Sequence, residues 1–368
     1  MEKEIYVTQP LLPELDAFIP YLQQIWQSKC LTNNGPYHQR LEQALADYLG
    51  VEHLSLFNNG TTALVTALQA MAIEGEVITT PYTFAATAHA LVWNRLTPVF
   101  VDIDPHTFNL DPRAIEAAIT PRTQAILPVH CYGLPCDVRA IEQIARRHRL
   151  RVIYDAAHAF AVKDGEGSVL RHGDMSILSL HATKVFNTFE GGAIISPHAE
   201  AKRHVDQLRN FGFVNETSVV TCGINGKMSE INAAFGLLQL QHIDQALARR
   251  QTVDAAYRRL LSGIGGISLC REAQNHGYFP ILVQSTYPLS RDQLYDAFKQ
   301  QGIFARRYFY PLITDMQAYR ARPDTHRHPL PVATQIARQI ICLPLHADLS
   351  LADVERVVAV IRDSSAAM

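Results

Sequence analysis

Between residues 54 and 196, short runs of apolar residues alternate with helix-length segments of mixed polarity. We predict strands at residues 54–57, 77–80, 98–103, 125–130, 151–154, 175–180 and 192–196. Several of these runs are largely apolar throughout, which is typical of strands covered on both faces. Residues 61–72 and 138–148 lie between them and have the length of helices. This alternation predicts right-handed βαβ units and an α/β fold with a mostly parallel sheet.

The pattern changes after about residue 241. We predict one long helix at 228–261, followed by strands at 267–270, 278–283 and 303–308 and helices at 291–301 and 351–362. Ser350 is the expected N-cap of the last helix. These elements indicate a large domain at residues 1–245 and a smaller α/β domain at 246–368. The first ~30 residues could pack against either domain, because N-terminal arms often do so.

The composition narrows the class of protein. Of the 368 residues, 48% are hydrophobic and 18% are charged, and the formal net charge is -2 at pH 7. This balance allows a large buried core and gives no general electrostatic reason to bind nucleic acid or an anionic membrane. No apolar run reaches the ~20 residues that a membrane span needs, and the first residues do not resemble a signal peptide. We therefore expect a cytoplasmic protein with reduced cysteines and no metal site.

A small polar turn, Asn58-Asn59-Gly60-Thr61-Thr62, follows the first predicted strand of the sheet. Ligands of open α/β sheets bind beyond the carboxyl ends of the strands, so residues at such turns are candidates. Free backbone amides at a helix start favour a phosphate, and the Thr61 and Thr62 hydroxyls could add hydrogen bonds. The alternative is an ordinary N-cap turn.

Two charged residues follow other strands. Asp155 comes after the strand at 151–154 and could keep a pyridine nitrogen protonated; the alternative is a helix N-cap. Lys184 comes after the strand at 175–180. A partly desolvated lysine has a lowered pKa and can form an imine with an aldehyde, whereas an ordinary loop lysine extends its amine into solvent. In combination, the three sites have the order expected for a pyridoxal-phosphate enzyme.

The chain resembles the DegT-type sugar aminotransferases, which are pyridoxal-phosphate (PLP) enzymes with the fold-type-I transferase architecture. The resemblance covers nearly the whole chain, from Gly35-Pro36-Tyr37 to Leu343-Pro344-Leu345-His346, and is most specific from Ser179 to Gly192. It departs from the usual family pattern in three places: Asn59 stands where serine is common, Pro81 is shifted by one position, and His158 replaces a frequent glutamine.

The resemblance implies that Lys184 forms the imine and moves protons, and that Asp155 pairs with the pyridinium nitrogen. A homodimer with shared sites is also implied. The remaining cofactor contacts it implies are Gly60, Thr61 and Ser179 at the phosphate, Phe84 on the ring face, His158 near the phenolic oxygen, and Asn225 at the phosphate of the partner subunit.

The expected substrates are L-glutamate and a nucleotide-linked ketosugar. Within the family, the likeness is to enzymes that aminate C4 of dTDP-4-keto-6-deoxyglucose; C3 amination of a 3-ketosugar and a non-catalytic sensor are alternatives. A nicotinamide enzyme is disfavoured because no G-x-G-x-x-G follows an early strand. Four residues of the segment 306–310 could line the nucleotide-sugar site or belong to solvated surface, namely Arg306, Arg307, Tyr308 and Tyr310.

Overall fold

The computed structural model describes residues 3–322 and 324–366. The strands are β1 (Ile5–Tyr6), β2 (Leu54–Phe57), β3 (Glu76–Thr79), β4 (Thr97–Phe100), β5 (Thr123–Leu127), β6 (Arg151–Asp155), β7 (Lys163–Asp164), β8 (Gly167–Ser168), β9 (Met175–Ser179), β10 (Gly192–Ile195), β11 (Phe213–Asn215), β12 (Ser218–Val219), β13 (Ile267–Leu269), β14 (Phe279–Val283), β15 (Ile303–Phe304) and β16 (Ile340–Leu343). The α-helices are α1 (Leu15–Ser28), α2 (Pro36–Leu49), α3 (Gly60–Ala70), α4 (Ala85–Trp93), α5 (Pro112–Ala118), α6 (Val138–His148), α7 (Ala199–Arg209), α8 (Glu230–Leu240), α9 (Ile243–Leu261), α10 (Arg291–Gln300), α11 (Gln317–Arg320), α12 (Pro331–Gln339) and α13 (Leu351–Ala366).

A seven-stranded sheet forms the centre of the fold, in the order β2-β10-β9-β6-β5-β3-β4. Strand β10 is antiparallel to both neighbours, and the other adjacent pairs are parallel. The predicted α/β fold with a mostly parallel sheet is therefore confirmed. Leu56 packs in the core with α2 and α8, whereas the next residue, Phe57, packs with α3 on the other face. Because helices cover both faces, these strands are apolar throughout.

The parallel strands β2, β9 and β6 end at the same edge of the sheet. Strand β2 leads into Asn59 and Gly60, β9 ends at Ser179, and β6 ends at Asp155. The topology therefore places the three predicted sites along one edge. All six cysteines are free thiols, as expected.

The C-terminal part contains a three-stranded antiparallel sheet, β13-β14-β16, and the pair β1-β15. The N-terminal arm is divided between the two parts of the molecule. Strand β1 pairs with β15, whereas Phe18 and Ile25 of α1 lie in the core formed by α2 and α8. In the part of the chain that the structure describes, no helix is both long and apolar enough to cross a membrane.

The single helix predicted at 228–261 is wrong, because the structure has α8 and α9 instead. Ser229 caps α8 by accepting a hydrogen bond from the Asn232 amide at 3.4 Å, so the helix begins one residue later. The amides of Gln241 and His242 bond to carbonyls three residues back, which tightens the turn between the helices. The domain boundary near 245 falls inside α9 and stays a prediction.

The end of the strand predicted at 303–308 differs from the structure, whereas the start of the last helix agrees with it. The strand predicted at 303–308 is shorter than expected, since only Ile303–Phe304 pairs with β1. The expected N-cap of the last helix is confirmed: the Ser350 hydroxyl accepts a hydrogen bond from the Asp353 amide at 3.1 Å.

Candidate active site

A cavity of about 680 Å³ lies at the carboxyl edge of the central sheet. Its walls include seven of the eight predicted cofactor residues: Gly60, Thr61, Phe84, Asp155, His158, Ser179 and Lys184. Phe84, which is 59% exposed, precedes α4. The eighth residue, Asn225, is exposed and does not line the cavity. One chain therefore brings together all the predicted residues except the one assigned to a partner subunit.

The turn before α3 leaves backbone amides free. Asn59 caps the helix, since its Oδ1 accepts hydrogen bonds from the Thr62 amide at 2.7 Å and from the Thr62 hydroxyl at 3.0 Å. The Thr62 hydroxyl therefore bonds within the turn in this structure, and its expected contact with a phosphate stays a prediction. The amides of Gly60 and Thr61 have no hydrogen-bond partner among the described residues. They lie at the positive end of the helix and are available to an anion.

Small residues allow the helix start to approach the ends of two strands. A Cβ on Gly60 would lie 3.1 Å from the Cβ of Ser179, closer than ordinary van der Waals contact. A Cβ on Gly192 would lie 2.5 Å from the Asn59 carbonyl oxygen. The turn, the Ser179 hydroxyl and the Gly60 amide therefore form a compact cradle of donors.

Asp155 is buried and holds two hydrogen bonds. Its Oδ2 accepts from the Thr87 hydroxyl at 2.7 Å, and its Oδ1 accepts from the Ala157 amide at 3.1 Å. Burial raises the pKa of this carboxyl, while both hydrogen bonds and the charge of Lys184 oppose the rise. No helix follows Asp155, so the N-cap alternative fails. A buried carboxylate of this kind favours a cationic partner.

Lys184 extends its amine into the cavity rather than into solvent. Its Nζ donates a hydrogen bond to the Tyr278 hydroxyl at 3.3 Å. Burial of the amine lowers the pKa of Lys184 to about 8, against an opposing effect from Asp155. The loop that carries it is closed by the Leu180 amide, which donates to the Gly191 carbonyl at 2.8 Å. A buried lysine of lowered pKa, held on such a loop, can act as a nucleophile or as a base.

His158 is held in one tautomer by the backbone. The Tyr132 amide donates to its Nδ1 at 3.2 Å, so the proton of the neutral ring lies on Nε2. Burial lowers the pKa of His158 well below its ordinary value, which keeps the ring neutral. The side-chain amide of Asn275 donates to the carbonyls of His158 at 2.8 Å and Phe160 at 3.0 Å, which fixes the segment after β6. His158 can therefore act as a donor through Nε2.

Sequence reasoning missed Thr87, which contacts Asp155, and Tyr278, which contacts Lys184. Thr87 lies in helix α4, where His89 is the other polar residue, and only its polarity there offered a signal. The sequence predicts Tyr278 as a strand residue and gives no signal for a contact 94 residues away along the chain.

The mouth of the cavity contains part of the predicted 306–310 segment. Arg306 and Tyr308 line it, whereas Arg307 and Tyr310 do not. Arg307 instead pairs with Asp292 at 2.7 Å. Arg306 is exposed and has no acidic partner within the described residues. Its guanidinium lies over the Tyr308 ring, 5.2 Å from the ring centre, and therefore presents a positive charge at the entrance.

A larger cavity of about 860 Å³ lies between α2, α7 and the β11–β12 hairpin, and it contains none of the predicted residues. Its central charges neutralise one another, since Glu42 accepts from Lys202 at 2.7 Å and from Arg209 at 3.0 Å. We therefore assign the chemistry to the smaller cavity, where a lysine of lowered pKa, a buried carboxylate and free amides meet.

The residues of the smaller cavity fit the cofactor expected from the sequence. The free amides of Gly60 and Thr61 suit a phosphate, and the buried carboxylate of Asp155 suits a protonated ring nitrogen. The amine of Lys184 lines the same cavity and suits an aldehyde.

Known proteins resemble this chain along nearly its whole length. The family model for the DegT/DnrJ/EryC1/StrS aminotransferases matches residues 14–362. A Shigella dysenteriae protein named dTDP-4-amino-4,6-dideoxy-D-glucose transaminase is 59% identical over 99% of this chain and 100% of its own length. An Escherichia coli protein of the same name is 52% identical, with 95% of each chain covered. The crystal structure of DesI in the presence of its TDP-sugar product has a TM-score of 0.95 and 34% identity, covering 100% of this chain and 94% of that one.

Proposed function

Because the chain belongs to the DegT/DnrJ/EryC1/StrS aminotransferase family, we propose that it transfers an amino group from L-glutamate to C4 of dTDP-4-keto-6-deoxy-D-glucose. The product would be dTDP-4-amino-4,6-dideoxy-D-glucose. Aminotransferases of this family use pyridoxal phosphate, and this chain is such an enzyme. The choice of sugar rests on the name that the Shigella dysenteriae and Escherichia coli relatives share. Both match this chain over nearly their full lengths.

The protein's own groups divide the work. When bound, pyridoxal phosphate supplies an aldehyde and a ring that can take up negative charge. Lys184 acts as the base that removes the α-proton of glutamate and later returns a proton to the sugar carbon. Asp155 keeps a proton on the ring nitrogen, since its own charge is otherwise costly in this buried position. These two residues are the proposed catalytic pair.

The remaining site residues bind and orient. The Gly60 and Thr61 amides and the Ser179 hydroxyl would hold the phosphate, and Phe84 would cover one face of the ring. The Nε2 proton of His158 would bond to the phenolic oxygen, since its Nδ1 is already occupied by the Tyr132 amide. Histidine can thereby replace the glutamine that is frequent in the family.

The mouth of the cavity suits the nucleotide part of the substrate. Arg306 offers an unpaired charge to the diphosphate. Tyr6 and Phe304 beside it are stacked at 5.0 Å and also line the cavity. Exposed aromatic faces at this position suit a pyrimidine base. Arg307 is assigned a structural role because Asp292 neutralises it.

A homodimer would complete the site. Asn225 follows the β11–β12 hairpin, whose surroundings expose an apolar surface. The residues of this surface are Phe211, Phe213, Val214, Val219, Val220 and Ile224, each at least 40% exposed. Contiguous apolar surface of this kind is typical of an interface. A second copy covering it would bring Asn225 to the phosphate of the neighbouring subunit.

The test is NMR of the product formed by purified protein from the 4-ketosugar and L-glutamate. We expect nitrogen on C4, with 2-oxoglutarate formed in equal amount, and no reaction in a Lys184→Ala blank. Nitrogen on C3, or reaction with a 3-ketosugar alone, would replace this proposal by the alternative amination. Cofactor binding without turnover of any ketosugar would indicate a sensor.

A further inference from the structure

The hydroxyl of Tyr278 is the polar side-chain group that contacts the Lys184 amine. The two atoms are 3.3 Å apart, and the amine lies 6.0 Å from the centre of the tyrosine ring. Tyr278 precedes β14 in the C-terminal part, whereas Lys184 lies on the loop between β9 and β10. The hydrogen bond therefore connects the reacting amine to a different part of the fold from the one that carries it.

The ring of Tyr278 is fixed by its neighbours. It packs against His158 at 4.6 Å, Tyr132 at 5.5 Å and Tyr308 at 5.9 Å between ring centres. These contacts leave the ring little freedom to move, and so its hydroxyl occupies a defined point in the cavity. In the described part of the molecule, that hydroxyl has no other hydrogen-bond partner.

A neutral phenol can serve both forms of an amine. Its oxygen accepts a hydrogen bond from an ammonium group, and its hydrogen can be donated to the lone pair of a free amine. Burial raises the pKa of Tyr278 far above its ordinary value, so the phenol stays neutral. The lysine can therefore gain and lose a proton without losing this partner.

We propose that Tyr278 is a positioning residue for Lys184, holding the amine at one point of the cavity whenever it is not covalently bound. This inference rests on the proposed function, in which Lys184 moves the protons. Without Tyr278 the amine would have the cavity's water as its partner, and its four-carbon chain would sample other directions. Proton transfer requires hydrogen-bond reach, and so this freedom would slow it.

The decisive variant is Tyr278→Phe, which keeps the ring contacts and removes the hydroxyl. The first measurement uses the cofactor-free full chain: the pH dependence of Lys184 acylation, followed by peptide mass spectrometry. Loss of the hydroxyl removes a hydrogen bond from both forms of the amine, but the bond from the ammonium is charge-assisted and is the stronger of the two, so the ammonium form is destabilised more. We expect the pKa of Lys184 to fall by about half a unit to one unit.

The second measurement uses the cofactor-loaded enzyme and α-deuterated glutamate. We expect kcat to fall about tenfold, the isotope effect on kcat to rise, and the KM for glutamate to change little. A purely structural role would lower the amount of active enzyme without raising the isotope effect.

Tyr257→Phe is the matched control. It also removes a hydroxyl from a buried tyrosine. The Tyr257 hydroxyl has no hydrogen-bond partner among the described residues, and its ring packs on Phe279 at 4.8 Å. An unchanged Lys184 pKa in Tyr278→Phe, an unchanged isotope effect, or equal effects in the control would overturn the inference. If Tyr278→Phe does not fold, Tyr278→Met is judged by the same criteria. The acylation assay needs no substrate, and so absence of glutamate-dependent turnover in the unaltered protein would count against the proposed function alone.

Discussion

The Thr87 hydroxyl donates a 2.7 Å hydrogen bond to the Asp155 carboxylate and thereby connects helix α4 to the end of strand β6. The bond stabilises the ionised carboxylate in a position where burial works against the charge. Thr87 therefore helps Asp155 to remain an anion until a cation binds beside it.

Substitutions of this pair should have graded effects. We expect Asp155→Ala to lose about three orders of magnitude in kcat, because the ring nitrogen is no longer held protonated. Thr87→Val should lose roughly tenfold to a hundredfold, the usual range for a hydrogen bond to a charged group. Steady-state kinetics would measure both.

Thr66→Val provides the control for the threonine substitution, since the buried Thr66 hydroxyl has no hydrogen-bond partner in the described part of the chain. It should leave kcat nearly unchanged. Normal turnover in Asp155→Ala would mean that this carboxylate has no part in the reaction.

Lys184→Ala should abolish turnover and also the borohydride-dependent attachment of cofactor to the chain. Both losses are expected because Lys184 is the amine proposed to form the imine and to move the proton. Mass spectrometry of the reduced protein would check the attachment. The exposed Lys163 of β7 gives a control, because Lys163→Ala should retain both properties. Full activity in Lys184→Ala would refute the site.

The lowered pKa of Lys184 predicts how cofactor uptake depends on pH. Below about 8 the amine is protonated and cannot attack an aldehyde, so the uptake rate should rise about tenfold per unit as pH increases. Above about 8 it should level off. Stopped-flow absorbance of cofactor-free protein would show this. A rate still climbing at the ordinary lysine value of 10.5 would contradict the burial effect.

Shared sites predict complementation between inactive chains. In a mixed dimer of Lys184→Ala and Asn225→Ala chains, one site has an intact lysine from one chain and an intact asparagine from the other. Random reassortment makes about half of the dimers mixed, and one of the two sites in each mixed dimer is intact. About a quarter of wild-type activity should therefore return. Mixing Lys184→Ala with Asp155→Ala should restore none, because both residues come from the same chain. Recovery in neither mixture would mean that Asn225 does not act on the site of the partner subunit, and a fully active monomer in sedimentation would exclude the dimer.

Arg306→Gln should raise the KM for the nucleotide sugar at least about tenfold, because the diphosphate loses a charge-assisted hydrogen bond. The glutamate half-reaction, followed in single turnover, should be unaffected. Arg307→Gln is the matched control and should leave this KM nearly unchanged. Equal effects of the two variants would argue against a specific diphosphate contact by Arg306.

The sequence was informative where function follows the end of a strand. Gly60, Asp155 and Lys184 could be found because apolar runs mark the strands and polar residues follow them. Ser179 lies inside a predicted strand and was indicated only by the family resemblance. The same reasoning could not find Tyr278, which reaches the amine only through the packing of the C-terminal part. It also missed the break between α8 and α9, since no glycine or proline marks Gln241 and His242.

The bond from Asn275 to the His158 and Phe160 carbonyls has a consequence for the order of events during synthesis. Domains fold from the N-terminus as the chain leaves the ribosome. The central sheet can form early, but the hydrogen bonds that fix the segment after β6 can form only when residue 275 has been made. Tyr278 emerges immediately afterwards. A nascent chain that ends before these residues already contains Lys184 and Asp155. It lacks the hydrogen bonds from Asn275 and the Tyr278 hydroxyl that contacts the amine, and so the cofactor site is completed only late in synthesis.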